Sequence, residues 1–599
     1  MPDLAGRTAQ TLVHLLRTRA ADRPEHIPHV YSEYGDKQNV ELSYQRLDQN
    51  ARAVAARLAG LCSPGDRVLL LYPPGLEFNA GFWGCLYAGV IGVPVAPPQL
   101  SKLEAGVARM RAIAANSDAR VLLTDSPTAE RLREALPLIG GFEHVRILAT
   151  DDLQDGEAEE WRPVSVSGNT VAYLQYSSGS TGAPKGVALT HASVLANLRV
   201  IGTAVGITEE SRVVSWLPTF HDMGLISAVL LPISADITTF QMAPLAFVQR
   251  PHRWLRMIAE VGATTSVAPN FAYDLCVRRI TEPQMSELDL SGWDAAMCGA
   301  EPIRPATLDR FADMFAVCGF RRQALYPCYG LAETTLMVTG GPLGTGMRTA
   351  WADPDALASD RFRRDVDPRH GRLLASSGGM LAGMQVRIAD AESLEVLPDG
   401  RIGGIFVSGD SVAQGYWNNP EATADCFNVR LNGAEGLFLS TGDLGFLQDG
   451  QLWVTGRRKD LIIVDGGNHY PQDIEATAAA SHPAVQPNGC AAFQFEDGAL
   501  GLVVEVNRRY RVATHLQPAA DGGSVVLSAE LEQAIRQSVS VAHNLRVDRL
   551  YLVRPRTIPL TSSGKIQRNL CRTLALDGAL EERSAVAEQR AAADPVGRL

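Results

Sequence analysis

Residues 171–191, V-A-Y-L-Q-Y-S-S-G-S-T-G-A-P-K-G-V-A-L-T-H, join an apolar run to a segment of small residues. The apolar run, 171–176, predicts a buried strand. Backbone N–H groups of a loop without bulky side chains can converge on an anion, with hydroxyl groups as further donors. Lys185 adds a mobile ammonium group nearby. The stretch therefore predicts a loop that binds a polyphosphate, built from Ser177, Ser178, Gly179, Ser180, Thr181 and Gly182.

Two other interpretations of this loop fit its sequence less well. A Walker A loop requires Gly-Lys-Ser or Gly-Lys-Thr in direct succession before a helix. Here Lys185 stands between Pro184 and Gly186, so that pattern fails. A flexible linker is the usual meaning of a Ser/Gly-rich run, but this run lies between an apolar strand and a Pro-Lys-Gly turn. The linker is therefore the minor alternative.

The chain before the loop alternates between helical and strand patterns. Apolar residues at helical spacing predict helices at 11–21, 42–59 and 78–88, the second capped by Ser43. Short apolar runs predict strands at 67–71, 90–95, 121–124 and 145–148. This alternation predicts an α/β fold with a largely parallel sheet. Later in the chain, Asp449-Gly450 predicts the turn of a hairpin.

Composition restricts the possible classes of protein. With 599 residues, the chain is expected to form two or more domains. A net charge of -11 argues against a nucleic-acid-binding protein. Nine cysteines are scattered without a C-x-x-C pair, which argues against zinc and favours a reducing cytoplasm. The longest apolar stretch, 84–97, is interrupted by Gly and Pro and is too short to span a bilayer, so no integral membrane segment is expected.

Residues 176–186 resemble the phosphate loop of the adenylate-forming superfamily, and the whole chain resembles its fatty acyl-AMP ligases. The resemblance spans roughly 12–574 and is carried by further segments at 216–224, 264–273, 297–302, 326–334, 415–418, 440–445, 456–460 and 559–568. It implies an α/β protein with the adenylate-forming enzyme fold: a large N-terminal domain of packed α/β sheets and a small, mobile α+β C-terminal domain. The implied limits are 1–456 for the adenylation domain, 457–460 for a hinge, 461–585 for a lid and 586–599 for a tail.

The resemblance also implies a nucleotide site. An aromatic face at Tyr329 can stack on adenine, and the two oxygens of Asp443 suit a ribose diol. Thr181 and Glu333 would supply hard oxygen ligands to Mg²⁺. The implied nucleotide-binding residues are Ser177, Ser178, Gly179, Ser180, Thr181, Gly182, Gly299, Ala300, Glu301, Tyr329, Gly330, Asp443 and Arg457.

Four residues are expected to act in catalysis by the same resemblance: Lys565, Glu333, His221 and Lys185. Lys565 lies on a glycine-bearing loop and would hold the carboxylate and the α-phosphate in line. It would be inserted and withdrawn by rotation about the hinge residue Lys459. Taken alone, a lysine like Lys565 is usually a surface charge, and a histidine like His221 is usually a core residue. Within the matched segment His221 is expected to line the substrate channel.

These assignments predict ATP-dependent formation of a fatty acyl-adenylate with Mg²⁺, followed by transfer to the phosphopantetheine thiol of an acyl carrier protein. No carrier-protein serine motif follows the 559–568 segment, so the carrier is expected on another chain. Residues 500–575 contain 11 Lys and Arg against 5 Asp and Glu. Such a run is usually a solvated face, but it would also attract an acidic carrier.

Three alternatives remain open. A fatty acyl-CoA ligase is disfavoured by 339–373, an irregular stretch where the resemblance implies an insertion that hampers closure over CoA. An aryl- or amino-acid-adenylating enzyme is disfavoured by the fatty-acid pattern at 264–273. A weakly active scaffold that binds nucleotide or carrier is favoured only by departures from the family pattern at Gly404, Asp465 and Gly467.

Overall fold

The computed structural model describes residues 9–36, 39–98, 103–154, 156–177, 184–364, 367, 371–464, 466–513, 524–561, 564–581 and 583–587. These residues divide into two compact units. The first extends to Val454 without 354–363, and the second contains 354–363 and the chain from Thr455. The change of unit thus falls two residues before position 456, where the sequence places the end of the first domain.

The strands are numbered along the chain. They are β1 His29–Tyr31, β2 Val40–Leu42, β3 Arg67–Leu70, β4 Ile91–Pro94, β5 Val121–Thr124, β6 Arg146–Ala149, β7 Val171–Ser177, β8 Lys185–Thr190, β9 Arg212–Ser215, β10 Thr238–Gln241, β11 Thr265–Ala268, β12 Ala295–Cys298, β13 Leu325–Gly330, β14 Met337–Gly340, β15 Thr349–Ala352, β16 Arg372–Ala375, β17 Gly379–Met380, β18 Met384–Ala389, β19 Gly403–Gly409, β20 Leu439–Gln448, β21 Gln451–Arg457, β22 Ile462–Val464, β23 Gly467–His469, β24 Val485–Gln494, β25 Leu500–Val506, β26 Tyr510–Ala513, β27 Ser524–Leu527, β28 Arg549–Val553 and β29 Val586–Ala587.

The helices are numbered in the same way. They are α1 Leu12–Asp22, α2 Tyr44–Ala59, α3 Glu77–Tyr87, α4 Leu103–Ser117, α5 Ser126–Ile139, α6 Glu157–Glu160, α7 His191–Ala204, α8 Asp222–Gly224, α9 Leu231–Ala235, α10 Pro244–Gln249, α11 His252–Val261, α12 Asn270–Arg279, α13 Glu282–Met285, α14 Pro305–Phe315, α15 Pro354–Ala358, α16 Pro420–Cys426, α17 Pro471–Ala480, α18 Ser528–His543 and α19 Arg568–Leu576. A π-helical turn, Leu225–Leu230, connects α8 to α9. Among the described residues, no helix combines the length and apolar character needed to cross a membrane.

A six-stranded sheet carries the strand that leads into the predicted phosphate loop. Its spatial order is β6-β5-β3-β4-β7-β8, parallel except for the last pair. Strand β8 runs antiparallel to β7, with Ser177 opposite Lys185. The residues between these two positions therefore connect neighbouring strands at the edge of the sheet. The predicted strands and the largely parallel α/β architecture are confirmed.

A second, thirteen-stranded sheet has the order β18-β19-β20-β21-β17-β14-β13-β12-β11-β9-β10-β1-β2. Strands β13, β12, β11, β9, β10 and β1 are parallel neighbours, whereas the strands on the β18 side pair antiparallel. Helix α3 is apolar on nearly every side, and residues 78–87 are all buried. Such a helix belongs inside a layered domain rather than on its surface.

Two local predictions from the sequence are confirmed. Ser43 caps α2, because its side chain accepts a hydrogen bond from the Arg46 backbone N–H group. Asp449 and Gly450 form the two-residue connection between β20 and β21, with φ values of 52° and 69°. Positive φ at both positions is typical of the tight turns that join antiparallel strands.

The second unit is an α+β structure with its own apolar core. Strands β24, β25 and β28 form one sheet, and β27, β26 and β29 form another. Buried residues of α17 and α18 contribute to the core, including Ile474, Leu531 and Ile535. Strand β29 pairs parallel with β26, although the sequence assigns its residues to the tail.

The prediction that 339–373 is irregular was wrong for part of this segment. Strand β15 pairs antiparallel with β16 over four residue pairs, and α15 lies between them along the chain. Neither β15, T-A-W-A, nor β16, R-L-L-A, contains the Val or Ile that the correctly predicted four-residue strands β5 and β6 contain. The pairing partners in β15 and β16 are also distant in sequence, so local patterns did not indicate them.

Candidate active site

The predicted phosphate loop follows β7 in the sequence and precedes β8, where Lys185 lies opposite Ser177. The backbone at Gly186 lies close to the Tyr176 ring, since a Cβ atom at Gly186 would lie 2.8 Å from Tyr176 Cζ. Only glycine fits there without movement of the ring. The loop residues themselves, Ser178, Gly179, Ser180, Thr181 and Gly182, lie outside the described residues, as does the side chain of Ser177. Their contacts with phosphate, and that of Thr181 with Mg²⁺, stay predictions.

Lys185 and Glu333 both contact a third side chain, Tyr416. The Lys185 ammonium lies 4.8 Å from the centroid of the Tyr416 ring, a distance that suits a cation–π interaction. The Tyr416 hydroxyl donates a hydrogen bond of 2.8 Å to Glu333 Oε1. Burial, and next the Glu333 carboxylate, raise the pKa of the Tyr416 hydroxyl above its usual value. The hydroxyl therefore stays protonated and acts as a donor to the carboxylate.

Tyr329 and Asp443, both predicted to bind the nucleoside, are direct neighbours. The Tyr329 hydroxyl donates a hydrogen bond of 2.8 Å to Asp443 Oδ2, and the Thr441 hydroxyl accepts one of 3.2 Å from the Asp443 backbone N–H group. Gly330 follows at a register shift in β13. A Cβ atom there would lie 1.6 Å from the Leu336 carbonyl oxygen, so packing alone requires glycine.

The predicted adenine-bordering segment follows β12. Ala300 has a φ of 69°, a left-handed conformation that is uncommon for a residue with a side chain. Glu301 Oε1 accepts a hydrogen bond of 2.7 Å from the Phe271 backbone N–H group. A Cβ atom at Gly299 would lie 3.1 Å from Cys328 Sγ. Close packing against Cys328 is therefore sufficient to explain this glycine, and its proximity to adenine stays a prediction.

His221 lies just before α8, and its ring contacts Phe220 with centroids 4.8 Å apart. Its segment is held by a residue that the sequence reasoning missed, Gln175 of β7. The Gln175 side chain is buried and donates a hydrogen bond of 2.9 Å to the Phe220 carbonyl. A Cβ atom at Gly224 would lie 2.0 Å from the Pro218 carbonyl oxygen. The sequence contained one signal for the role of Gln175, because it is a polar residue within the otherwise apolar strand β7.

Lys565 belongs to the second unit, where it follows a tight loop. Its backbone N–H group donates to the Thr561 hydroxyl at 3.0 Å, and its carbonyl accepts from the Thr561 N–H group at 2.8 Å. Gly564 has a φ of 84°, which suits glycine best. Residues 562–563 are outside the described part of the chain. The loop fixes the backbone of Lys565 at both of its polar groups.

The hinge predicted at 457–460 is also part of the second unit. Arg457 and Lys459 are exposed, and Arg458–Asp460 forms a single 3₁₀ turn. Short 3₁₀ turns often connect larger elements and can mark a hinge. Rotation at Lys459 and contact of Arg457 with ribose stay predictions.

A buried ion cluster links this turn to the start of α19, and the sequence reasoning missed it. Arg568 donates two hydrogen bonds to Glu475, of 2.7 and 2.8 Å, and one of 3.1 Å to Asp460. Burial alone would lower the pKa of Arg568, but Glu475 and Asp460 outweigh it and raise that pKa. Asp460 directly follows Lys459, and Arg568 lies three residues after Lys565. The cluster therefore joins the chain next to the predicted hinge residue Lys459 to the chain next to Lys565.

The acidic residues of the site are compatible with one kind of metal binding. Within the described ranges, no group of three or more His, Cys, Asp and Glu side chains could hold a metal ion. Mg²⁺ that is bound with a nucleotide takes only one or two protein carboxylates, together with phosphates and water. A single Glu333 carboxylate, oriented by the Tyr416 hydroxyl donor, fits that mode.

Comparisons with known proteins agree over nearly the whole chain. A family model described as AMP-binding enzyme matches 16–417, and one described as Disco-interacting protein 2-like, AMP domain matches 459–582. The chain is 40% identical over 581 residues to the medium-chain-fatty-acid–[acyl-carrier-protein] ligase JamA of Moorena producens, covering 96% of each protein. It is 38% identical over 569 residues to the long-chain-fatty-acid–AMP ligase FadD32 of Mycolicibacterium smegmatis, covering 90% of each. The solved structure of a fatty acyl-adenylate ligase from L. pneumophila, in complex with acyl adenylate and pyrophosphate, matches with a TM-score of 0.74 and 38% identity, covering 96% of this chain and 97% of that one.

Proposed function

The chain belongs to the AMP-binding enzyme family, and within it to the fatty acyl-AMP ligases; on this premise we propose that it activates a medium- or long-chain fatty acid with ATP and transfers the acyl group to an acyl carrier protein. The resemblance inferred from the sequence is confirmed. In the first step a carboxylate oxygen attacks the α-phosphorus of ATP, and the bond to pyrophosphate breaks. In the second, the carrier thiol attacks the acyl carbonyl and AMP leaves.

The observation that supports this function best is the grouping of Lys185, Tyr416 and Glu333 next to the strand that leads into the loop. It provides a cation for phosphate and a carboxylate for a metal at one place. Mg²⁺ bound there would offset charge on the phosphates as the α-phosphorus is attacked. Tyr329 and Asp443 would hold the adenosine, and Lys565 of the second unit would contact the reacting carboxylate and α-phosphate.

The partner and the compartment are proposed on separate grounds. The carrier is proposed because JamA is named as a ligase that acts on an acyl carrier protein. A cytoplasmic location is proposed because the nine cysteines, all in the described part of the chain, form no disulfide, which suits a reducing compartment.

The decisive experiment supplies ATP, Mg²⁺, a mixture of fatty acids, CoA and an acyl carrier protein, and identifies the products by mass spectrometry. We expect acyl-adenylate and acylated carrier, together with fatty-acid-dependent ATP–pyrophosphate exchange. Acyl-CoA as the main product would instead indicate a CoA ligase. Absence of exchange with every fatty acid would favour a scaffold that binds nucleotide without catalysis.

A further inference from the structure

Tyr416 contacts two opposite charges and is itself held by several neighbours. Its backbone N–H group donates to the Thr423 hydroxyl at 2.9 Å, and its ring packs edge-on against Phe427 with centroids 5.2 Å apart. The flanking chain is bonded to β8, since the Trp417 N–H group donates to the Gly186 carbonyl at 2.7 Å. The side chain therefore cannot move away from the site without breaking several contacts.

The chain segment that carries Tyr416 also fixes the backbone of Glu333. The Ala413 N–H group donates a hydrogen bond of 2.9 Å to the Glu333 carbonyl. The Glu333 carboxylate then accepts from the Tyr416 hydroxyl. One short segment thus determines both where Glu333 lies and which way its carboxylate points.

Lys185 and Glu333 both contact Tyr416, at its face and its hydroxyl. Both residues belong to the described part of the chain, and no ion pair within 4.0 Å joins them. Opposite charges that are this close to a common neighbour would otherwise attract each other directly. In a direct ion pair the two charges would offset each other, and neither group would be available to an incoming ligand.

We propose that Tyr416 is a positioning residue that keeps Lys185 and Glu333 apart, so that the ammonium is available to a phosphate and the carboxylate to a divalent cation. This inference rests on the proposed function, because it assigns to these two residues the binding of a metal–nucleotide pair. The ring holds the ammonium by its face, and the hydroxyl holds the carboxylate. The two halves of the side chain therefore have separable roles.

This separation can be tested by nucleotide binding, without catalysis. In the Tyr416→Phe variant the ring remains, so affinity for metal-free ATP should be unchanged. Loss of the hydroxyl should raise the half-saturating Mg²⁺ concentration for ATP binding by about tenfold, the typical effect of losing a hydrogen bond to a charged group. In Tyr416→Leu the affinity for metal-free ATP should fall and the half-saturating Mg²⁺ concentration should rise, because the ring and the hydroxyl are both lost. Titration of a fluorescent ATP analogue with and without Mg²⁺ measures both.

Tyr87→Phe is the matched control. The Tyr87 hydroxyl also donates 2.8 Å to a carboxylate, that of Asp48, in the same unit. This variant should leave both quantities at the wild-type values. Wild-type Mg²⁺ dependence in Tyr416→Phe, or identical effects of Phe and Leu at position 416, would overturn the inference.

A double variant tests whether the Tyr416 hydroxyl acts through the Glu333 carboxylate. In the Glu333→Gln background, adding Tyr416→Phe should cause no further change in Mg²⁺ dependence, because the carboxylate that the hydroxyl positions is already absent. A further change would contradict the inference. Failure of the proposed function is detected separately, as absence of fatty-acid-dependent ATP–pyrophosphate exchange by the wild-type protein in the same preparation.

Discussion

Single residues determine which charges are available at the site and which are held within the fold. The Lys565 backbone is hydrogen-bonded to Thr561, and the role proposed for this residue depends on its ammonium group. His191 has the opposite character. It is almost completely buried and serves the fold as a neutral hydrogen-bond acceptor.

Replacing Lys565 by Ala should abolish adenylation while ATP binding stays close to wild type. Removal of one preorganised electrostatic group at a reacting centre typically costs a factor of about 100 to 1,000 in rate. ATP–pyrophosphate exchange and equilibrium binding of ATP measure the two effects separately. Lys565→Arg, which retains the charge but not the shape, is the control and should keep more activity than the alanine variant. Near-normal exchange in Lys565→Ala would refute the assignment.

His191 should make the first unit sensitive to mild acid. Its Nδ1 atom accepts a hydrogen bond from the Leu12 N–H group, and burial lowers its pKa from 6.5 to about 4. Below pH 6.5 His191 binds a proton in the unfolded chain but stays neutral in the folded chain. The free energy of unfolding therefore decreases as the pH falls from 6.5 towards 4. At about 1.4 kcal/mol per pKa unit the loss is of the order of 3 kcal/mol.

The variant His191→Asn, whose amide oxygen can replace the acceptor, should flatten this pH dependence. All eight tryptophans lie in the first unit, so their fluorescence during urea unfolding at several pH values reports its stability. The exposed His14 provides the control as His14→Asn. An unchanged slope between pH 4 and 6.5 in His191→Asn would rule out this explanation.

At the scale of elements, ion pairs and tight turns fix how neighbouring helices and strands meet. In the second unit Arg568, at the start of α19, reaches Glu475 of α17, whose side chain is only 2% exposed. Glu475 in turn accepts a hydrogen bond of 3.0 Å from the Ala492 N–H group of β24. Three elements are therefore joined through one buried carboxylate.

Arg568→Met should destabilise the second unit by roughly 3 to 5 kcal/mol, because Glu475 would keep a buried charge without its cation. Adding Glu475→Gln removes that charge but retains an acceptor for Ala492, so the double variant should be more stable than the single one. The second unit contains no tryptophan, so hydrogen exchange of α17 is the suitable measurement. A double variant that exchanges faster than Arg568→Met would contradict this account.

At the scale of the whole molecule, charge is unevenly distributed along a chain of net charge -11. Arg508 and Arg509 lie in the turn between β25 and β26, and Arg511 lies in β26. All three side chains are exposed. Exposed cations of this kind mainly increase the rate at which an oppositely charged partner associates, and salt weakens this effect. An acidic carrier protein would be attracted to them, whereas a fatty acid in its own channel would not.

Reversing these three arginines to Glu should raise the apparent KM for the carrier and leave that for the fatty acid unchanged. The wild-type KM for carrier should also rise with ionic strength, and the variant should lose that dependence. Arg120, Arg131 and Arg133 are exposed in the first unit and provide a control with the same change in charge. Equal effects on both substrates, or an equal effect of the control, would defeat the idea.

The sequence alone was sufficient to predict the α/β class, the strand before the phosphate loop, the cap at Ser43 and the turn at Asp449 and Gly450. These features depend on periodicity, on short-range hydrogen bonds and on allowed φ values, all of which are local. It also indicated the family, because the matching segments retain their order along the chain. It did not reveal the short pairing of β15 with β16, since neither strand contains the Val or Ile that marks β5 and β6.

Which side chains act together depends on tertiary packing. Tyr416 reaches Glu333 across 83 positions, and Arg568 reaches Glu475 across 93. Gln175 holds the Phe220 carbonyl next to His221 from 45 positions away. The partner of a hydrogen bond or an ion pair is set by how sheets and helices pack, and no local pattern at Tyr416, Arg568 or Gln175 specifies it. The chemical character of the residues could therefore be predicted from the sequence, whereas their arrangement depended on long-range packing.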